Sequence, residues 1–151
     1  MEFGWINVFG AILVILMLIP NIVYAIKNKN EKNYCANRFM NITEQIGRYA
    51  CVVLMWLPLL VRKFGFASVW EMVLYMACGG MLLAAYWTVF AFYVKRKTAQ
   101  RALILAILPA CIFLLCGILL RHWLLVGFAV LFAAGHIYVT YQNAVQTRGG
   151  N

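Results

Sequence analysis

Five long apolar runs, joined by short polar connectors, constrain this chain more than any other feature. They cover about 3–26, 39–61, 69–94, 102–120 and 123–145 of the 151 residues. A helix rises about 1.5 Å per residue, so roughly 20 apolar residues cross ~30 Å of hydrocarbon. Helices also pair their own backbone groups, as a bilayer interior demands. The expected fold is therefore all-α: a polytopic membrane protein, one domain over 1–151, with five transmembrane helices in a bundle. Composition agrees, because a soluble domain of this size could not hide a chain that is 66% hydrophobic and 11% charged. There is no internal repeat, and five helices cannot form the even inverted repeat of the large secondary-transporter folds.

The formal charge of +9 invites a nucleic-acid reading. However, the basic residues sit in connectors, where membrane topology places them. The expected partner is the lipid bilayer, and no nucleic acid. Alternating helices put Lys27, Lys29, Lys32, Arg38, Lys95, Arg96, Lys97, Arg101 and Arg148 on one side. Arg62, Lys63 and Arg121 fall on the other, and Arg48 lies inside a run. The positive-inside rule then gives an outside N-terminus and a cytoplasmic C-terminus, in what is expected to be a bacterial plasma membrane. Val23-Tyr24-Ala25 looks like a signal-peptide cleavage site. Yet Glu2 is the only charge before the run and lysines follow it, so the run reads as a retained helix.

Polar residues inside the runs are the candidate site. At 100° per residue, Asn41, Glu44, Gln45 and Arg48 share one helix face. Glu44 and Arg48 are four apart in the favourable ion-pair order. Each charge costs roughly 2.5–3.5 kcal/mol at the centre of a bilayer. The pair therefore marks either an interfacial salt bridge, with residues 39–48 lying near the membrane surface, or a buried functional site. In the first run Asn21, Tyr24 and Asn28 share a face after Pro20, which should kink the helix and free a carbonyl for a neighbouring polar group. In the fifth run His136, Thr140 and Asn143 share a face, with Ala129 and Ala133 beside it for close helix packing. Given the topology, Asn21, Tyr24, Asn41, Glu44, Arg48, His136, Thr140 and Asn143 lie in the cytoplasmic half. They are the candidate ligand-binding residues of a pocket between helices 1, 2 and 5. Gly80-x-x-x-Ala84 is expected to admit a close neighbouring helix. Pro58 falls near the outer end of the second run, Arg62-Lys63 and Arg121-His122 form turns, and the tail from Gln146 is expected to be disordered.

The chemistry this sequence argues against is clearer than the chemistry it names. Five cysteines stand singly with no Cys-x-x-Cys, so they read as small buried hydrophobes rather than a redox pair. His122 and His136 lie about 21 Å apart along what is nearly one helix, too far to share a haem. No metal-ligand set and no Gly-rich phosphate loop occurs, so no metal or cofactor is expected. Glu44-Gln45-Ile46-Gly47-Arg48 and Phe132-Ala133-Ala134-Gly135-His136 resemble two motifs of the Abi/CAAX-protease family of intramembrane proteases. The family pattern has a second Glu where Gln45 stands, and a spacing to Arg one residue longer. The family's second motif histidine, followed three residues later by Asn or a similar residue, has no counterpart. The resemblance implies an intramembrane hydrolase, but no family role is carried over and no catalytic residue is assigned. The expected function is binding or transport of a small or lipid-like ligand in a cytoplasm-facing polar pocket, with a homodimer or partner subunit completing any permeation path. The alternative is a structural or accessory membrane subunit, in which the ion pair and histidine only knit helices together.

Overall fold

Each of the first four helices begins where the sequence supplies a cap. The computed structural model describes residues 6–29, 33–57, 59–61 and 65–149, with side chains to 146. Among these, the chain is all-α and forms α1 (Val8–Lys27), α2 (Arg38–Trp56), α3 (Val69–Lys95), α4 (Ala99–Leu119) and α5 (Trp123–Gly149). Lys32, Pro58, Arg62 and Lys63, on which part of the sequence reading rests, lie outside the described residues, as do 1–5 and 150–151. The side chains of Asn7, Asn37, Ser68 and Thr98 accept from the first-turn N–H groups of Gly10, Met40, Glu71 and Arg101, respectively. Glu71 also reaches back to the Ala67 N–H at 2.8 Å, much as a capping box does.

Helix ends depart from the apolar runs for local reasons. α2 stops at Trp56, short of the expected 61. Leu57 is extended, at φ −104 and ψ 113, because the residue before a proline avoids the helical region. α4 starts at Ala99 because Thr98 caps it there. α5 runs on through Gly149, so the tail expected to be disordered from Gln146 is helical to that point. Nothing between His136 and Arg148 breaks a helix, and Gly149 is the first residue that favours a stop.

Four helices are long and apolar enough to cross a membrane: α1, α3, α4 and the 123–146 part of α5. This is compatible with a membrane protein. α2 is not among the four, because Asn41, Thr43, Glu44, Gln45 and Arg48 dilute its first half.

The helices close a ring in which α1 packs on α2 and α3, α3 on α4, α4 on α5, and α5 on α2. The ring's core includes Met17, Cys51, Met55, Tyr75, Phe113 and Cys116. The α2–α5 seam is closest. A Cβ added to Gly47 would sit 2.7 Å from the Phe132 Cα, and one on Gly135 would sit 2.7 Å from the Glu44 N. Only glycine lets the backbones meet there. The contact expected at Gly80 is not made, since nothing lies within 4 Å of a Cβ there. A Cβ added to its neighbour Gly79 would instead sit 3.3 Å from the Leu13 side chain of α1. α3 is apolar all round, so its sequence period does not select an inner face.

Proline chemistry ties α1 to α3. Pro20 has no N–H to give the Leu16 carbonyl, and the Trp87 indole supplies one at 3.1 Å. At the opposite end of the bundle, buried Asn7 donates from its backbone to the Trp56 carbonyl at 2.8 Å. Its side chain donates to the Met55 carbonyl at 3.1 Å. These bonds satisfy two of the carbonyls that α2 leaves open. His122 Nε2 holds the Leu59 carbonyl at 3.1 Å, and Arg121 pairs with Glu71 at 2.6 Å.

Candidate functional site

The close approach at Gly47 and Gly135 delivers the Glu44 carboxylate from α2 onto α5. Glu44 is 5% exposed. Its Oε1 accepts from Arg48, one turn further along α2, and from His136 Nδ1 of α5 at 2.8 Å. An ionised carboxylate only accepts, so the imidazole proton resides on Nδ1 and Nε2 is left as the outward polar atom. The imidazole stacks on Phe132, with centroids 4.8 Å apart and planes 17° apart, which fixes its orientation. Among the described residues, Glu44 is the one hydrogen-bond partner of the Arg48 guanidinium. That side chain is 38% exposed and retains further N–H donors.

Arg48 and His136 lie on the wall of a half-open cavity of about 330 Å³. Ligand pockets span roughly 300–1,000 Å³, so this one is small. Met17, Val52, Phe113 and Phe132 form its apolar deep end. Ala102, Leu105, Ala106 and Pro109 make the α4 wall, while Tyr86, Phe90 and Tyr93 form an aromatic stripe on α3. Asn21, Tyr24 and Thr140 join Arg48 and His136 as polar lining. The Tyr86 hydroxyl donates to Asn21 Oδ1 at 2.9 Å, and Asn21 Nδ2 donates to the Met17 carbonyl. Lys97 stands over the Tyr24 ring, 5.2 Å from its centroid. That cation sits at the end of the bundle where α1 and α3 finish.

Of the eight candidate residues, Asn21, Tyr24, Arg48, His136 and Thr140 line this cavity, and Glu44 lies directly behind its wall. Asn41 and Asn143 act elsewhere. Asn143 Oδ1 accepts from the backbone N–H groups of Tyr34 and Cys35, at 2.8 and 3.0 Å. Asn41 Nδ2 donates to the Cys35 carbonyl at 2.9 Å, and its Oδ1 accepts from Asn33 at 2.8 Å. Together they fasten the α1–α2 connector across the end of the bundle, where its backbone groups need partners. Asn28 caps α1 by donating to the Tyr24 carbonyl. Gln45 is exposed, since one residue beyond Glu44 turns it 100° away.

The sequence reading placed the pocket between helices 1, 2 and 5, whereas α3 and α4 supply much of the wall. Their lining residues are apolar or aromatic within apolar runs, so nothing marks them in the sequence. One usable signal is the 86, 90, 93 spacing, which sets three rings on one side of α3. Tyr138 and Tyr141 line a separate shallow depression with Ile107 and Ile137, between α4 and α5.

Glu44, Arg48 and His136, the residues that carried the Abi/CAAX-protease resemblance, do meet in space. Gln45, at the place of that family's second carboxylate, faces away from them. Among the described residues, no three His, Cys, Asp or Glu side chains are grouped so as to hold a metal ion. Comparison of the chain with protein-family models, with curated proteins and with solved structures found no match.

Proposed function

We propose that this chain is an integral membrane protein of five spans that binds, and in a homodimer or with a partner subunit transports, a small or lipid-like ligand. α2 is the fifth span in this reading. Its exposed apolar residues are Phe39, Ile42, Ile46, Tyr49, Val53 and Trp56, a stripe along its entire length, with Arg38 and Gln45 the exposed polar exceptions. Glu44 and Arg48 turn inward. A helix facing water would show the reverse pattern. Its 19 residues measure about 28 Å, enough to cross the hydrocarbon core. The nine-to-three division of basic residues supports an outside N-terminus.

The observation that carries the ligand reading is the cavity itself. Arg48 and His136 present unused polar atoms on a mostly apolar, aromatic wall, the usual make-up of a small-molecule site. The test is extraction and mass spectrometry of compounds that co-purify with the protein. Ala102→Trp on α4 and Thr140→Trp on α5 fill the cavity from opposite walls. A compound retained by the wild type and lost from both folded variants supports the reading. A wild type that retains nothing favours the structural alternative, which the Glu44 bond between α2 and α5 supports on its own. A hydrolase is the least supported reading, since Gln45 faces away from the site.

A further inference from the structure

The cavity's charge and shape point to a class of ligand, an inference that rests on the binding role proposed above. Among the described residues, Arg48 is the one formally charged side chain in the cavity lining. Its partner Glu44 lies behind the wall, 5% exposed. The pair is therefore a dipole with its positive end in the cavity, where an entering group meets N–H donors before it meets the carboxylate. Outside the lining, Lys97 lies over the ring of Tyr24 and is a second cation close to the cavity. Among the described residues the acids are Glu44 and Glu71, and Glu71 belongs to the opposite end of the bundle, paired with Arg121. Among the described residues, a cationic ligand would find no carboxylate on the lining.

Polarity is graded along the cavity. From Tyr24 to Met17 on α1 the wall descends about 10 Å, at 1.5 Å per residue. Over that distance it passes from Tyr24, whose ring lies under Lys97, through Arg48 and His136, to Val52, Phe113 and Phe132. A volume of about 330 Å³ holds roughly eleven groups of water or methylene size, taking ~30 Å³ each. That suits one short chain inside the cavity, and a second chain would have to lie outside it.

We propose that the cavity selects a single-chain amphipathic anion. Its carboxylate or phosphate headgroup binds the free donors of Arg48, and its apolar body points toward Phe113 and Phe132. His136 Nε2 is the second polar contact for that headgroup or for its water.

The test uses the full chain in nanodiscs of zwitterionic lipid, titrated calorimetrically with octanoate, octyl phosphate, octanol and octylammonium. The expected result is that at least one anion binds about tenfold more tightly than octanol or octylammonium, a 1.4 kcal/mol difference. Whether octanoate or octyl phosphate binds better assigns the headgroup to a carboxylate or to a phosphate. Arg48→Gln should reduce the preference to within about threefold while octanol still binds. Because Arg48→Gln strands Glu44, the double variant Glu44→Gln/Arg48→Gln serves as a second measure and should lose the preference equally. Equal binding of all four probes, abolished by Ala102→Trp, overturns the anion and leaves the binding cavity standing. So does a preference that survives both Arg48 variants. Failure of every probe, or binding indifferent to Ala102→Trp, overturns the cavity reading as well.

Discussion

The Glu44 carboxylate serves two partners on two helices, and its removal should be felt by both. Glu44→Gln leaves Arg48 without a counter-ion and weakens the bond to His136. Loss of one partner from a buried charged network costs about 1–3 kcal/mol, and the half-exposed Arg48 moderates the figure. Adding Arg48→Gln should recover much of the loss. Thermal melts of both singles and the double should give a coupling above roughly 0.5 kcal/mol, and simple additivity would show that the two do not act as a pair. The second histidine makes a pH prediction. Burial between α4 and α5 holds the His122 imidazolium below its ordinary 6.5, outweighing the Leu59 carbonyl bond that favours the charged form. A histidine whose folded value is depressed binds fewer protons folded than unfolded, so stability rises with pH. Its contribution is present above 6.5 and is lost as pH falls toward the folded value. Melting temperatures measured from pH 8 down to 5 should drop less steeply for His122→Gln than for the wild type.

At the scale of elements, the α2–α5 seam is where side-chain volume is least tolerated. Gly135→Ala places a Cβ 2.7 Å from the Glu44 backbone. The helices must then part, and the carboxylate moves away from His136. Overpacking of this kind costs about 1–3 kcal/mol. Gly80→Ala is the control, since a Cβ there meets nothing within 4 Å. It should be neutral or stabilising, by up to about 1 kcal/mol, because alanine is the better helix former. Melts of the two variants in one detergent decide the matter, and equal losses would contradict the seam described above. The contrast between the two glycines also shows why a small-residue spacing alone does not locate an interface.

For the molecule as a whole, the proposed orientation rests on charge and span number. Single cysteines introduced at Lys29 and Lys97, in a background freed of native cysteines, should resist an impermeant thiol reagent on intact cells and react after lysis. A cysteine at Arg121 should react on intact cells. Labelling of the Lys29 connector from outside would reverse the topology and move the cavity mouth with it. If α2 lay along the surface, positions 29 and 121 would share a side, so the same three sites also test the fifth span.

The sequence by itself determined what depends on local chemistry and on averages over a turn or more. Runs of twenty apolar residues dictate helices, the spacing of Glu44 and Arg48 dictates their pairing, and Pro20 dictates a carbonyl in need of a donor. Asn7 could have been read as a cap, but its place inside an apolar run hid its reach to the end of α2. Only the tertiary structure decided which faces meet. It turned Asn41 and Asn143 to a connector rather than to the cavity, and it chose Gly79 over Gly80. It also built half of the cavity from α3 and α4. In helices that are apolar all round, hydrophobic periodicity carries no directional information. Shape complementarity, backbone approach at glycine and the pairing of buried polar groups then select the inner face, and these depend on residues far away in the chain.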